Sequence, residues 1–208
     1  MWRRIKAWFE EKPLLFEQDT MKKYLVVGLG YIGTEYENTR HNIGFNILDF
    51  MASKESFSFS TEKLGDIATF KYKGRSILFL KPSTYMNVSG KAVKYWMDKE
   101  KVPLENVLII TDDINIPFGT LRLKGKGSDG GHNGLKNIQS LLGTNAYPRF
   151  RFGVGADFGK GRQIDYVLGQ WNSEEQSQFP ERLEQSKSLV LSFVFAGAKN
   201  TMNQFNGT

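Results

Sequence analysis

The 208 residues contain no cysteine, which excludes a disulfide framework, a thiolate zinc site and a cysteine nucleophile, and is compatible with the cytosol. No apolar run approaches the length of a membrane span. Histidine is nearly absent too: His41 and His132 are the only two, so imidazole chemistry near neutral pH rests on them alone. Repeats and low-complexity linkers are missing as well. What is there has an ordinary globular balance, 40% hydrophobic and 24% charged, at a length that fits one domain with a single buried core.

The formal net charge is +6. Basic and acidic residues cancel within positions 1–20, so the excess sits on residues 21–208. A mild surplus of this kind permits an anionic partner such as nucleic acid without requiring one. Trp2, Ile5, Trp8 and Phe9 recur at helical spacing and predict a short amphipathic helix as an N-terminal extension. Its arginines are followed by no continuous apolar stretch, and its acidic residues argue against a mitochondrial presequence.

The most informative stretch is 23–46. An apolar run ends in Gly28-Leu29-Gly30, a polar loop follows, and Arg40-His41-Asn42 stands directly before a new apolar run. That layout predicts strand, loop and helix, with Asn42 as the helix cap. An imidazole at such a junction is held by backbone yet open to solvent, which makes His41 the first candidate for proton transfer. Gly28-Leu29-Gly30-Tyr31-Ile32-Gly33 also matches the glycine fingerprint of dinucleotide sites. Its context does not fit: Glu35 and Glu37 stand where a pyrophosphate would lie, and Asp49 falls inside a helical pattern. A nicotinamide or flavin cofactor is therefore not expected here.

Further along, 66–72 and 75–81 read as a hairpin around Lys73-Gly74, 89–100 as a helix burying Ala92, Val93 and Trp96, and 106–111 as a short apolar strand ending in Asp112-Asp113. A strand over 120–124 leads into the glycine-dense 125–134, expected to be the most mobile part of the chain, and a helix with Leu135, Ile138 and Leu142 follows. Residues 149–155 alternate basic with apolar, as a strand with one wet face. Ser173 with Gln176 reads as a capping box for a last long helix. The fold class is α/β, a single globular domain over 21–208 with a mixed twisted β-sheet flanked by helices.

Four polar signals fall at strand ends or helix starts: His41-Asn42, Asn87, Asp112 and His132-Asn133. Each alone has a structural explanation as cap or turn residue, and Lys124, Lys126, Arg149 and Arg151 read equally well as solvent-facing alternates. Together, a histidine, a carboxylate and amide side chains without a serine or cysteine in a nucleophile setting point to a hydrolase that activates water. Asp112, Asp113 and Asn115 as hard oxygen ligands for a metal are the alternative.

The motifs Gly28-Leu29-Gly30 with Thr39-Arg40-His41-Asn42, Lys81-Pro82-Ser83-Thr84-Tyr85-Met86-Asn87-Val88-Ser89-Gly90, Asp112-Asp113 through Pro117, and Gly130-Gly131-His132-Asn133-Gly134-Leu135 closely resemble those of bacterial peptidyl-tRNA hydrolases, in order, from about residue 21 to Phe205. The resemblance implies a metal-independent, cofactor-free esterase. It would cut the bond between a peptide's carboxyl carbon and the 3′-terminal ribose of tRNA, as a cytoplasmic monomer without an obligate protein partner or membrane contact, meeting the acceptor stem and CCA end. It further implies His41 as general base and Asp112 as its orienting group, with Tyr31, Asn42, Tyr85, Met86, Asn87, His132 and Asn133 contacting substrate, and Lys124 and Arg151 contacting tRNA phosphates. Such backbone contacts weaken with salt and ignore tRNA identity. One position departs from the family pattern: its first loop carries an active-site asparagine where this chain has Tyr31. A catalytically impaired RNA-binding module is the alternative that this replacement raises.

Overall fold

The computed structural model describes residues 21–208, and the helix expected over 1–20 lies outside the described residues. In chain order the elements are β1 (Lys22–Gly28), α1 (Ile43–Glu55), β2 (Ser60–Glu62), β3 (Gly65–Tyr72), β4 (Arg75–Pro82), α2 (Ser89–Glu100), β5 (Val107–Asp113), β6 (Leu121–Lys124), α3 (Asn133–Leu142), β7 (Arg149–Gly153), α4 (Gln163–Val167) and α5 (Ser173–Phe205). The seven strands form one sheet in the order β2-β3-β4-β1-β5-β7-β6. β4, β1, β5 and β7 run parallel, while β2, β3 and β6 are antiparallel to their neighbours.

The central strands are near-continuous apolar runs because both of their faces are covered. Val26, Phe79, Leu108 and Ile110 pack with Ile47 and Leu48 of α1 and Leu189 and Phe193 of α5. Their sequence neighbours Leu25, Val27, Leu80 and Ile109 point the other way, onto Ala92, Val93 and Trp96 of α2 and Leu135 and Ile138 of α3. The expected hairpin is β3–β4, closed by Lys73 at φ 45° and Gly74 at φ 72°, a pair of left-handed residues that matches the strands' twist.

The glycines of the first loop serve close packing of backbone. A Cβ on Gly44 would lie 2.5 Å from both the nitrogen and the oxygen of Leu29, and one on Gly28 would strike the Gly44 carbonyl. The end of β1 and the first turn of α1 thus touch main chain to main chain. A single 3-10 turn, Arg40–Asn42, leads into α1 and packs against β5.

Three expectations are corrected. The capping box of α5 is one residue earlier than read: the Asn172 side chain accepts from Glu175 N at 2.9 Å, and Glu175 Oε2 accepts from Asn172 N at 2.8 Å. β7 has no wet basic face at Arg149, which is 1% exposed; its guanidinium stacks on Tyr147 at 4.4 Å and donates to the carbonyls of Ser128 and Asn145, both at 2.8 Å. The glycine-dense stretch is therefore anchored near its start, with Gln139 Nε2 adding a bond to Gly127 O. Asn42, finally, precedes α1 but makes no capping bond.

α5 is broken at Gly197, at φ 80° and ψ 165°. The chain then returns to β6, where Leu121 N donates to Thr208 O at 2.9 Å and the Asn206 amide bonds both the nitrogen and the oxygen of Leu123. Because the β1–α1 contact leaves no room for a methyl group, Gly44→Ala is expected to destabilise the fold by about 1–3 kcal/mol, read as a lower urea midpoint at unchanged slope.

Candidate active site

The parallel strands place their carboxyl ends together, and β4 and β5 lie on opposite sides of β1, so loops diverge there and leave a crevice. A cavity of about 200 Å³ occupies it. Its floor is Asp112, near the end of β5 and buried. Asp112 Oδ1 accepts two hydrogen bonds, from His41 Nδ1 at 2.9 Å and from His132 Nε2 at 3.1 Å.

Tautomers follow from these partners. His132 is the cap residue of α3, and its Nδ1 accepts from Gly134 N at 3.1 Å and Leu135 N at 3.4 Å. A nitrogen that accepts carries no proton, so the His132 proton is on Nε2 and is donated to Asp112. His41 donates from Nδ1, which leaves Nε2 as its basic nitrogen. Burial pulls His41 toward lower pKa, but the charge and hydrogen bond of Asp112 outweigh it and hold the imidazole above its ordinary value. Burial likewise acts to raise Asp112, yet the two imidazoles hold it well below the usual carboxylate range.

The rest of the wall is mixed. Asn133, the first residue of α3, and the 129–131 loop border one side, and Ile164, Val167 and Leu168 give an apolar surface. Tyr31 stands beside the base, its ring centre 5.7 Å from that of His41 and 4.9 Å from that of Tyr36. Burial, then Tyr36 and Asp112, push the Tyr31 phenol up, so it remains an O–H donor at neutral pH.

The other sequence candidates lie around and beneath this cavity or away from it. Asn42 is 4% exposed, and its amide is spent on the main chain of Tyr31: Tyr31 N donates to Oδ1 at 2.7 Å and Nδ2 donates to Tyr31 O at 2.9 Å. Its amide thus serves first to hold the loop at Tyr31. Met86 is 1% exposed and packs in the core beneath the site. Tyr85 is 79% exposed, Asn87 is exposed as well, and neither lines the cavity. Lys124 is exposed at the end of β6. Arg151 is ion-paired with Asp113.

Of the hard-ligand alternative, Asp113 is engaged by other groups. Asp113 accepts from Asn115 N at 2.8 Å as well as pairing with Arg151. His41, Asp112 and His132 do bring ligand atoms within 4.8 Å of one another, but the hydrogen bonds already described account for that approach, and His132 Nδ1 is engaged by α3.

Sequence reasoning missed Arg40. It is 7% exposed, pairs with Glu175 at 2.7 Å, donates to Gln170 O at 2.7 Å and lies over the Tyr166 ring at 4.3 Å. The turn carrying His41 is thereby tied to the segment that supplies the cavity's apolar wall. The Asn172-x-x-Glu175 spacing was the available signal for one half of that pair.

Among the described residues, no serine, threonine, cysteine or lysine lines the cavity. A carboxylate-oriented imidazole in such surroundings is the arrangement expected of a hydrolase that activates water. Comparison with known proteins gives the particular kind. The family model for peptidyl-tRNA hydrolase matches residues 25–208, and the chain belongs to that family. The peptidyl-tRNA hydrolase of Bacteroides fragilis is 58% identical over 184 residues, covering 88% of this chain and 98% of that one. That of Phocaeicola vulgatus is 56% identical over the same shares. The crystal structure of the Acinetobacter baumannii peptidyl-tRNA hydrolase superposes with a TM-score of 0.82 at 34% identity, over 89% of this chain and 95% of that one. The RNA-binding module raised by Tyr31 finds no support in these comparisons.

The source of His41 basicity is testable. In Asp112→Asn only burial acts strongly on the ring, so the His41 titration midpoint, followed by NMR, is expected to fall below that of the parent chain; an unmoved midpoint would show that Asp112 does not set it.

Proposed function

We propose that this chain carries out its family's reaction with His41 as the general base. One observation supports this above the rest: His41 Nδ1 is bonded to a buried carboxylate in the wall of a cavity whose lining, among the described residues, holds no serine, threonine, cysteine or lysine. His41 Nε2 takes a proton from water as the water oxygen bonds to the ester carbonyl carbon. Asp112 keeps the tautomer and stabilises the imidazolium as it forms. When the tetrahedral centre collapses, the bond from carbon to ribose oxygen breaks, and the imidazolium returns its proton to that oxygen. The peptide leaves as an acid and the tRNA with a free 3′ end.

The other roles follow from placement. His132 is a positioning residue, since its second hydrogen bond keeps the Asp112 carboxylate oriented and ionised. Asn133 has an amide N–H that suits the developing oxyanion. Lys124, with Arg122 on the same face of the sheet edge, suits the phosphates of the acceptor stem, and Arg151 joins them only by leaving Asp113. Tyr85 and Asn87, exposed outside the cavity, would meet the CCA end as it enters. The proposed setting is a cytoplasmic monomer.

His41→Ala is expected to lower kcat/KM on N-blocked aminoacyl-tRNA by roughly 100- to 10,000-fold, while the parent chain stays fully active in excess chelator. Because the base must be unprotonated, kcat/KM should rise with pH through a midpoint above the ordinary histidine value; a flat profile would remove His41 from the mechanism. Lys124→Ala should weaken tRNA binding alike for different tRNAs and reduce the slope of log K against log salt by about 1.

A further inference from the structure

Tyr31 stands in the walls of two cavities. Beyond it from His41 lies a polar cavity of about 390 Å³, bordered by Glu37, Asn38, Asp49, Asp66 and Lys81. The ring between them is held in place. Its main chain is clamped at both polar atoms by Asn42, and Tyr36 packs against it. Its centre is 5.7 Å from that of the His41 imidazole, within reach of a group attached to a carbonyl bound there.

The charge of the second cavity selects which arm of the ester enters it. Among the described residues, Glu37, Asp49 and Asp66 face one cation, Lys81, and Lys81 is already paired with Asp49 at 2.7 Å. A polyanionic RNA strand is repelled there, each close pair of like charges contributing about 1 kcal/mol in water and more where water is displaced. An uncharged peptide backbone is not repelled, and a protonated amine at its far end is attracted. Exposed Lys124 and Lys126 lie elsewhere, at the end of β6 and just beyond it, so the nucleotide and peptide arms leave the ester by different routes.

We propose that Tyr31 is a specificity-determining wall: the peptide arm runs from the catalytic pocket past its ring into the cavity of Glu37, Asp49 and Asp66, and the side chain of the esterified residue is read against that ring. The inference rests on the peptidyl-tRNA reading of the site. Removing the ring joins the two cavities and abolishes the reading.

The test is kcat/KM for N-acetylglycyl, N-acetylphenylalanyl and tripeptidyl esters of one tRNA. Tyr31→Ala is expected to change the phenylalanyl-to-glycyl ratio by about tenfold or more, chiefly through KM, whereas Tyr31→Phe keeps it. Asp66→Asn, which leaves the ring alone, should reduce the preference for a tripeptidyl arm beginning with lysine over one beginning with alanine. A parent chain active on these esters, with every ratio unmoved in the variants, overturns the inference and leaves the reaction standing. An equal loss on all acyl groups in Tyr31→Ala also overturns it, since the ring then meets the nucleotide arm. A parent chain inert on all of them overturns the functional reading and this inference with it.

Discussion

The main-chain contact between the end of β1 and the first turn of α1 is the constraint on which the site depends. It exists only because Gly28 and Gly44 lack side chains, and it sets the height at which the Arg40–Asn42 turn crosses the end of β5. Each residue of that turn then has one task. Arg40 reaches back to Glu175, His41 reaches down to Asp112, and Asn42 locks the loop at Tyr31. A turn carried one residue further along would interchange these directions, so sequence order and packing distance must agree.

Within that frame the electrostatics centre on one oxygen. An ionised carboxylate taken out of water and left unpaired costs several kcal/mol, while hydrogen bonds to a charged group return about 1.5–3 kcal/mol each. Two imidazoles on Asp112 Oδ1 therefore suffice to keep it charged under cover. Their tautomers differ because their surroundings do: amides at the start of α3 claim Nδ1 of His132, whereas among the described residues none claims Nε2 of His41. Two residues of one type thus become a support and a base.

The sheet, the hairpin and α2 were legible because apolar periodicity and turn chemistry are local. The helix over 89–100 coincides with Ala92, Val93 and Trp96 turning to one face, and Lys73-Gly74 supplies the turn that joins β3 to β4. The site was legible as a set of residues but not as a set of bonds. Asn42 carries the same cap signal whether it caps a helix or clamps Tyr31, and only the fold of the preceding loop decides. Arg149 looked wet because strand alternation assigns it a face without saying what covers that face; its cover is Tyr147 and two carbonyls from separate loops. Met86 sits amid polar residues in sequence and in the core in space. His132 reads as one more cap until Asp112 is seen at its other nitrogen.

The return of the chain to β6 bears on how the molecule behaves in company. A free outer strand offers unpaired amides and carbonyls to any similar edge it meets, and is a common origin of aggregation. Here the last residues occupy Leu121 and Leu123 with their own backbone and the Asn206 amide, so the border of the sheet is sealed by the chain itself. The sealing residues follow the Gly197 break, which turns the final helical segment toward that border. Colloidal behaviour and the shape of the last helix are thus joined: a chain shortened by those few residues would keep its catalytic groups and lose its insulation from neighbouring copies.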